Sequence, residues 1–275
     1  MGSLRNRNGH PDRDADQDGA QRQALPRARD EAALPELTVV VPAHNEAGNV
    51  ASLVGEIEHA LRGRLPFEIV YVDDGSDDST SDELRAARHR APSRFRALRH
   101  PTRRGQSTAL LTGIRAARGP WIATLDADGQ NDPADIPRLL DLARAGGAAT
   151  VVVGHRRQRR DSVLKRISSR TANGLRSWAL RDACPDSGCG LKIFPTAAFL
   201  ELPHFDHMHR FLPALFRHHG LEVRVATVRH RSRRWGESKY GVHDRLWVGL
   251  VDLLGVWWLS RRCPQVRVDQ VGELE

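Results

Sequence analysis

Between residues 37 and 154 the chain alternates short apolar runs with helical patterns, and this rhythm restricts the fold more than any other property of the sequence. The apolar runs cover about 37–41, 67–72, 95–99, 121–125 and 149–154, and the helical patterns lie near 47–61, 79–89, 106–117 and 133–145. Strands separated by helical crossovers pair in parallel, and both faces of such a sheet are covered. The expected class is therefore α/β, a mostly parallel central sheet with helices on both faces. Pro133 suits the opening of the last helix, where its missing N–H costs nothing.

Polar residues collect where these runs end. In open α/β sheets ligands bind outside the carboxyl ends of the strands, so these exits are candidate site positions. Asp126-Ala127-Asp128-Gly129-Gln130 follows the fourth run. Two carboxylates at i and i+2 supply the hard oxygen ligands that Mg2+ or Mn2+ takes; the same residues also suit a solvated loop with Asx-turn geometry. Asp73-Asp74-Gly75-Ser76 follows the second run. Asp-Gly-Ser is a common turn, and a carboxylate there also accepts hydrogen bonds from a nucleobase or ribose edge. Asp78, Ser79 or Thr80 can cap the next helix.

At the first exit stand Pro42-Ala43-His44-Asn45-Glu46. Pro42 is expected to stop the strand ladder, and Asn45 or Asn49 to cap the helix that follows. Glu46 fits a ribose hydroxyl, a brace for the turn or a first-turn glutamate favoured by the helix dipole. Arg103-Arg104-Gly105-Gln106 can bring positive charge to a diphosphate, or form a plain basic loop. Neither a Gly-x-x-x-x-Gly-Lys motif nor a dinucleotide glycine fingerprint is present, which weighs against ATPase and dehydrogenase chemistry.

The flanks differ in character. Residues 1–35 hold almost no apolar anchors and are expected to be a disordered tail, without the apolar stretch of a secretory signal. Cys184, Cys189 and Cys263 form no zinc spacing or disulfide framework, which fits a reducing cytosolic setting. Nine Arg or Lys residues and one acid, Asp161, lie between His155 and Arg181. There Leu164, Ile167, Thr171, Leu175 and Trp178 repeat at helical spacing beside Arg166 and Arg170, a basic amphipathic pattern suited to an anionic membrane surface. Nucleic acid is the competing polyanion, but no reading motif accompanies the charge.

Near the end, Leu246, Leu250, Leu253, Leu254, Trp257 and Trp258 give a broad helical face followed by Arg261 and Arg262. Its apolar run is short of the ~20 residues of a transmembrane helix. It fits a peripheral anchor at the cytoplasmic face of a membrane, a core helix, or a contact with a second copy or a membrane protein.

These motifs together resemble the GT-A glycosyltransferases of family 2, more narrowly the dolichyl-phosphate mannosyltransferase-like enzymes that charge polyprenyl phosphates. The resemblance rests on Val41–Glu46, Val72–Ser76, Arg104–Gln106, Asp126–Gln130, Asp186–Lys192 and Gly236–Tyr240, and covers roughly residues 36–260. It implies metal-dependent, inverting transfer of a hexose, mannose as first choice, from a nucleotide-diphosphate sugar to a polyprenyl phosphate. A UDP-glucose or UDP-amino-sugar donor is the alternative, and a noncatalytic membrane-associated binding protein ranks lower.

The resemblance assigns the metal to Asp126 and Asp128, with Gln130 orienting substrate. It assigns the donor to Pro42, His44, Glu46, Asp73 and Arg104, and the acceptor phosphate to Ser187, Arg210, Arg231 and Lys239. His44 stands where Tyr is common in the family, and Gln106 where Lys is frequent. The implied organisation is a tail to 35, a catalytic domain over 36–235, an acceptor loop and interfacial helix over 236–262, and a tail over 263–275.

Overall fold

The computed structural model describes residues 34–91, 93–156, 177, 180, 182, 184–232 and 242–262. The basic stretch around Arg166 and Arg170, the Gly236–Tyr240 segment with Lys239, Cys263 and both tails apart from residues 34 and 35 lie outside the described residues.

The alternation read from the sequence is realised as β1 (Leu37–Ala43), α1 (Val50–Leu61), β2 (Phe67–Asp73), α2 (Thr80–Arg90), β3 (Phe95–Arg99), α3 (Gln106–Ala116), β4 (Trp121–Thr124), a 3-10 turn at Pro133–Asp135 running into α4 (Ile136–Ala145), and β5 (Thr150–Arg156). Beyond them come β6 (Lys192–Pro195), α5 (Thr196–Leu200), a 3-10 turn at Met208–Arg210, α6 (Leu212–His218), β7 (Glu222–Val228) and α7 (Val242–Arg262).

The seven strands found among the described residues form one sheet in the order β3-β2-β1-β4-β6-β5-β7. Only β6 runs against its neighbours: it is antiparallel to β4 and β5, while β7 is parallel to β5. The sheet is thus mixed but mostly parallel, as expected.

Side-chain alternation on the buried strands builds two cores. Val39, Val41, Ile69 and Tyr71 face α1, α2 and α4, meeting Leu53, Ile57, Leu84 and Leu139. Val40, Ile122, Val151 and Phe194 face the other way, onto Leu110, Ile114, Phe199, Leu212 and Phe216, and onto Leu253 and Val256 of α7. Helices therefore cover both faces. On α1 the buried residues Val50, Leu53, Val54, Ile57 and Leu61 keep the spacing of a single helical stripe. Gly113 lets α3 lie close on β1, since a Cβ there would sit 2.5 Å from a Val40 methyl.

Two local expectations are corrected. Pro42 does not stop β1: it lies in the ladder opposite Val72. Val40 turns its carbonyl to β4, where it accepts from Leu125 N. Residue 42 has the same parity and faces that side, beyond the last β1–β4 pair at Val40 and Thr124, so its missing N–H breaks no bond. The helix caps differ too. Asn49 and Ser79 occupy N-cap positions without a capping side-chain bond, and Asn45 adopts a left-handed conformation with its amide oxygen accepting from Asp77 N. Asp78, one of the three residues expected to cap α2, does serve it, accepting from Thr80 N at 2.9 Å.

Candidate active site

Strands β1, β2 and β4 run in parallel and finish at one edge of the sheet, so the segments after them meet there. Asp73 pairs in register with Ala43, the residue after Pro42. Asp73 and Asp128 thus belong to the same edge, as a shared site requires.

The Asp73-Asp74 segment is tied inward. Asp73 is buried and accepts from Ser76 N at 2.9 Å and from Ser81 Oγ, with Arg99 3.7 Å away. Burial opposes its charge, but the bonds from Ser76 and Ser81 and the nearby guanidinium prevail and hold its pKa below the usual carboxylate range. Asp74, also buried, accepts from the backbone N–H groups of Arg104 at 2.7 Å and Gly105 at 2.8 Å, and meets His100 Nδ1 at 2.8 Å. His44 Nδ1 donates to the Asp74 carbonyl at 2.9 Å, and Glu46 accepts from Asn49 at 2.8 Å. Gly75, with φ +67, admits this packing; a Cβ would lie 2.6 Å from Arg103 N. Asp74 therefore clamps the loop carrying Arg104 against the loops after β1 and β2.

That clamped loop leads to the second carboxylate segment. Gln106 opens α3 and donates from its side-chain amide to Asp126 Oδ1 at 3.0 Å. Asp128 is buried and accepts from Gln130 N at 3.1 Å. Burial and the like charge of Asp128 push the Asp126 carboxyl upward, against Lys192, Arg156 and Gln106. A pair of carboxylates whose charges oppose each other at a strand end fits a divalent cation, which would relieve the repulsion. Among the described residues no group of three His, Cys, Asp or Glu side chains gathers for a metal. A cation held by two carboxylates completes its shell with phosphate oxygens and water.

The wall behind Asp126 comes from chemistry that sequence reading left unassigned. Arg156, at the end of β5, grips Asp186 through Nε at 2.8 Å and Nη2 at 2.7 Å, which fixes the segment containing the buried Ser187. Asp186 keeps the guanidinium charged despite its burial. Further on, Thr124 Oγ1 donates to Gly190 O at 2.6 Å, and a Cβ on Gly190 would stand 2.3 Å from Asp126 Oδ2. Lys192 is buried opposite Thr124, and its ammonium donates to Cys189 O. Burial pushes its pKa down.

The remaining assigned residues divide. Arg231 N donates to Gln130 O at 2.9 Å, and its guanidinium reaches Glu56 at 2.6 Å and Asn131 O at 3.2 Å, beside the carboxylate loop but engaged with α1. Arg210 is half-buried in the Met208–Arg210 turn. Its neighbour His209, which the sequence did not single out, donates from N to Ser107 Oγ at 3.3 Å and meets the same oxygen through Nδ1 at 2.9 Å. Burial, then Arg210, Lys192 and His207, push the His209 pKa down to about 3. The only signal for His209 was its place next to Arg210.

The sequence model described as glycosyl transferase family 2 matches residues 38–202. An undecaprenyl-phosphate 4-deoxy-4-formamido-L-arabinose transferase of Edwardsiella ictaluri (strain 93-146) is 34% identical over 207 residues, covering 75% of this chain and 63% of its own length. A dodecaprenyl-phosphate galacturonate synthase of Rhizobium johnstonii is 36% identical over 231 residues, 82% of this chain and 68% of its own. The chain thus spans roughly two thirds of the length of these relatives. Among solved structures, glucosyl-3-phosphoglycerate synthase from Mycobacterium tuberculosis, in complex with Mn2+, UDP and glucosyl-3-phosphoglycerate, superposes with a TM-score of 0.64 at 17% identity, covering 86% of this chain and 83% of that one. With this match in the fold and the family match across the site, the chain belongs to glycosyl transferase family 2, built on a GT-A-like α/β fold with a mixed central sheet.

Proposed function

We propose that the protein transfers a sugar from a nucleotide-diphosphate donor to a polyprenyl phosphate at a membrane surface, with inversion at the anomeric carbon. The observation that carries this reading is the linkage of both carboxylate segments through one loop: Asp74 holds the backbone of Arg104 and Gly105, and Gln106, next in the chain, holds Asp126. The names of the two relatives, both polyprenyl-phosphate sugar enzymes, support the acceptor class. Neither is named for mannose. A UDP-linked sugar, an amino sugar or uronic acid included, is therefore preferred over GDP-mannose.

In this reading Asp126 and Asp128 hold Mg2+ or Mn2+, which would supply charge neutralisation for the departing diphosphate. Pro42, His44, Glu46 and Asp73 shape the nucleoside pocket, Arg104 faces the diphosphate, and Gln130 orients the sugar. An acceptor phosphate oxygen attacks the anomeric carbon as the bond to the nucleotide diphosphate breaks. The products are a sugar-phosphate lipid and the free nucleotide. The attacking oxygen is already ionised near neutral pH, so no side chain has to remove a proton. Ser187, Arg210 and Arg231, with Lys239, steady the acceptor by charge-assisted hydrogen bonds.

Peripheral attachment is assigned to α7. Leu250, Val251, Leu254, Trp257 and Trp258 on it are exposed, and no helix among the described residues is long and apolar enough to cross a membrane. The test is to incubate the protein with polyprenyl phosphate, Mn2+ or Mg2+ and individual UDP- and GDP-sugars, and to identify the lipid product by mass. A product from a UDP-sugar supports the reading, and a product from GDP-mannose alone reverses the donor preference. Nucleotide binding without product under every metal condition replaces transfer with a binding role.

A further inference from the structure

The turn Asp206–Arg210 touches both the active-site edge and the exposed helix. On the site side, Ser107 Oγ lies 2.9 Å from His209 Nδ1 and accepts from His209 N at 3.3 Å. On the other side of Asp126's partner Gln106, a Cβ on Gly105 would stand 3.3 Å from Asp206 Oδ1. On the helix side, His207 Nδ1 lies 3.0 Å from Asp252 Oδ2, with the Asp252 side chain only 17% exposed. Beneath this contact Leu253 and Val256 of α7 share a core with Met208, Phe211 and Leu212. His207 itself is left-handed, at φ +63. Such a conformation costs a non-glycine residue about 1 kcal/mol or more and persists where its surroundings over-determine it.

We propose that this turn is a strut that couples seating of α7 on an anionic lipid surface to the geometry of the donor site, with His207 and Asp252 as its positioning residues. The inference rests on the membrane role assigned to α7 above. The helix itself marks its occupant as lipid. Leu254 and Trp258 are more than half exposed on it, at 58% and 57%. At its end the Arg261 guanidinium lies 4.0 Å over the Trp257 ring and that of Arg262 6.0 Å from the Trp258 ring. Indole rings flanked by cations suit the headgroup level of a bilayer.

Burial of that face in lipid restrains α7. Because Asp252 turns inward on the same helix, the restraint reaches His207, then Ser107 and Gly105, then Gln106 and Asp126. A site ordered in advance binds its ligand with less entropy to lose. Thermodynamic reciprocity requires the nucleotide to strengthen lipid binding by the same factor that lipid strengthens nucleotide binding.

The experiment measures that factor without turnover. Partitioning onto phosphatidylcholine vesicles containing phosphatidylglycerol is measured by co-sedimentation, with and without saturating UDP and Mn2+, and UDP affinity is measured by calorimetry with and without the vesicles. The protein as it stands is expected to show about a fivefold mutual enhancement, the lower end of typical coupling between sites. Asp252→Ala and His207→Asn, the latter tolerating the left-handed backbone, are expected to bind UDP and vesicles separately as before and to lose the enhancement.

Enhancement retained in both variants, or absent from the unaltered protein although each ligand binds, overturns the strut. Vesicle binding that fails while UDP binds overturns the membrane role of α7 and the strut with it, leaving the donor site intact. Failure of UDP, and of GDP in its place, to bind overturns the donor-site reading on which the strut also depends. If Asp252→Ala loses its fold, as judged by a lowered Tm, His207→Asn alone decides.

Discussion

The side chain of Gln106 reaches across 20 positions of sequence to donate to Asp126 Oδ1 at 3.0 Å. A neutral amide thus steadies a carboxylate that burial and Asp128 would rather see uncharged. Gln106→Ala removes one hydrogen bond to a charged group, worth about 1.5–3 kcal/mol. We expect kcat/KM to fall about tenfold or more and the Mn2+ concentration for half-maximal rate to rise. Gln106→Lys is expected to part the two ligands: a charge beside Asp126 repels the metal while attracting the diphosphate. Calorimetry with Mn2+ alone and with UDP alone reads the two signs.

Asp128→Asn and Asp126→Asn each take one anionic ligand from the proposed metal site. Loss of an electrostatic group at the reacting centre costs about 10²–10³ in rate, and we expect that drop in lipid-linked product at fixed Mn2+. Removing divalent ions with EDTA should abolish product in the unaltered protein, and added Mn2+ or Mg2+ should restore it. Full activity in EDTA would dismiss the metal role.

Gly190 has no left-handed backbone to protect, so Gly190→Ala is a purely steric probe. The added Cβ would stand 2.3 Å from Asp126 Oδ2 and 2.8 Å from Asn131 Oδ1. Overpacking of this kind costs about 1–3 kcal/mol, here relieved by moving Asp126. The expected signature is a large loss of Mn2+ affinity with a fall of only a few degrees in Tm. An unchanged Mn2+ titration would show that the wall does not set the carboxylate.

How far these relationships could be read beforehand differs along the chain. Strands β1, β2, β4 and β5 were visible because each is a mostly apolar run buried on both faces, and β3, an edge strand of which only Phe95 is fully buried, was visible from its place in the alternation. The edge holding Asp73 and Asp128 follows from the parallel order of β1, β2 and β4. Strand β6 was hidden: it is four residues long, starts with a buried lysine and ends in Pro195. Strand β7 carried only a partial signal: Val223, Ala226 and Val228 are buried, but the buried positions change parity along the strand and Val225 is exposed, which breaks the alternation. The Gln106–Asp126 and His209–Ser107 contacts join residues 20 and 102 positions apart. No local pattern encodes such pairs; they exist only once β1 and β4 set α3 against the later turn.

His209 gives a stability prediction of definite sign. Its folded pKa of about 3 lies below the ordinary histidine value of 6.5, so below pH ~6.5 the unfolded chain takes up a proton that the folded one refuses. Stability is then lost as pH falls from about 6.5 toward 3, by up to about 1.4 kcal/mol per pH unit from this residue. His209→Gln carries no such proton. Its urea midpoint should therefore decline less than that of the unaltered protein between pH 7 and pH 5, although it starts lower at pH 7.

The exposed end of α7 yields the last prediction. Val251, Leu254 and Trp258 are each more than half exposed, while Leu253 and Val256 on the same helix are nearly sealed in the core. Two faces of one helix thus have different tasks, and substitutions on them should separate. Burying an exposed Leu or Trp side chain in lipid gains on the order of 1.5–3 kcal/mol. Leu254→Ser together with Trp258→Ser should weaken vesicle partitioning by at least about tenfold, while Tm and UDP affinity in solution stay as they were. Leu253→Ala should act in reverse, lowering stability by about 2–5 kcal/mol through the cavity it leaves. If the double serine variant partitions normally, the exposed face meets something other than lipid, and a concentration dependence of the unaltered protein's sedimentation that the variant loses would identify a second copy of the chain.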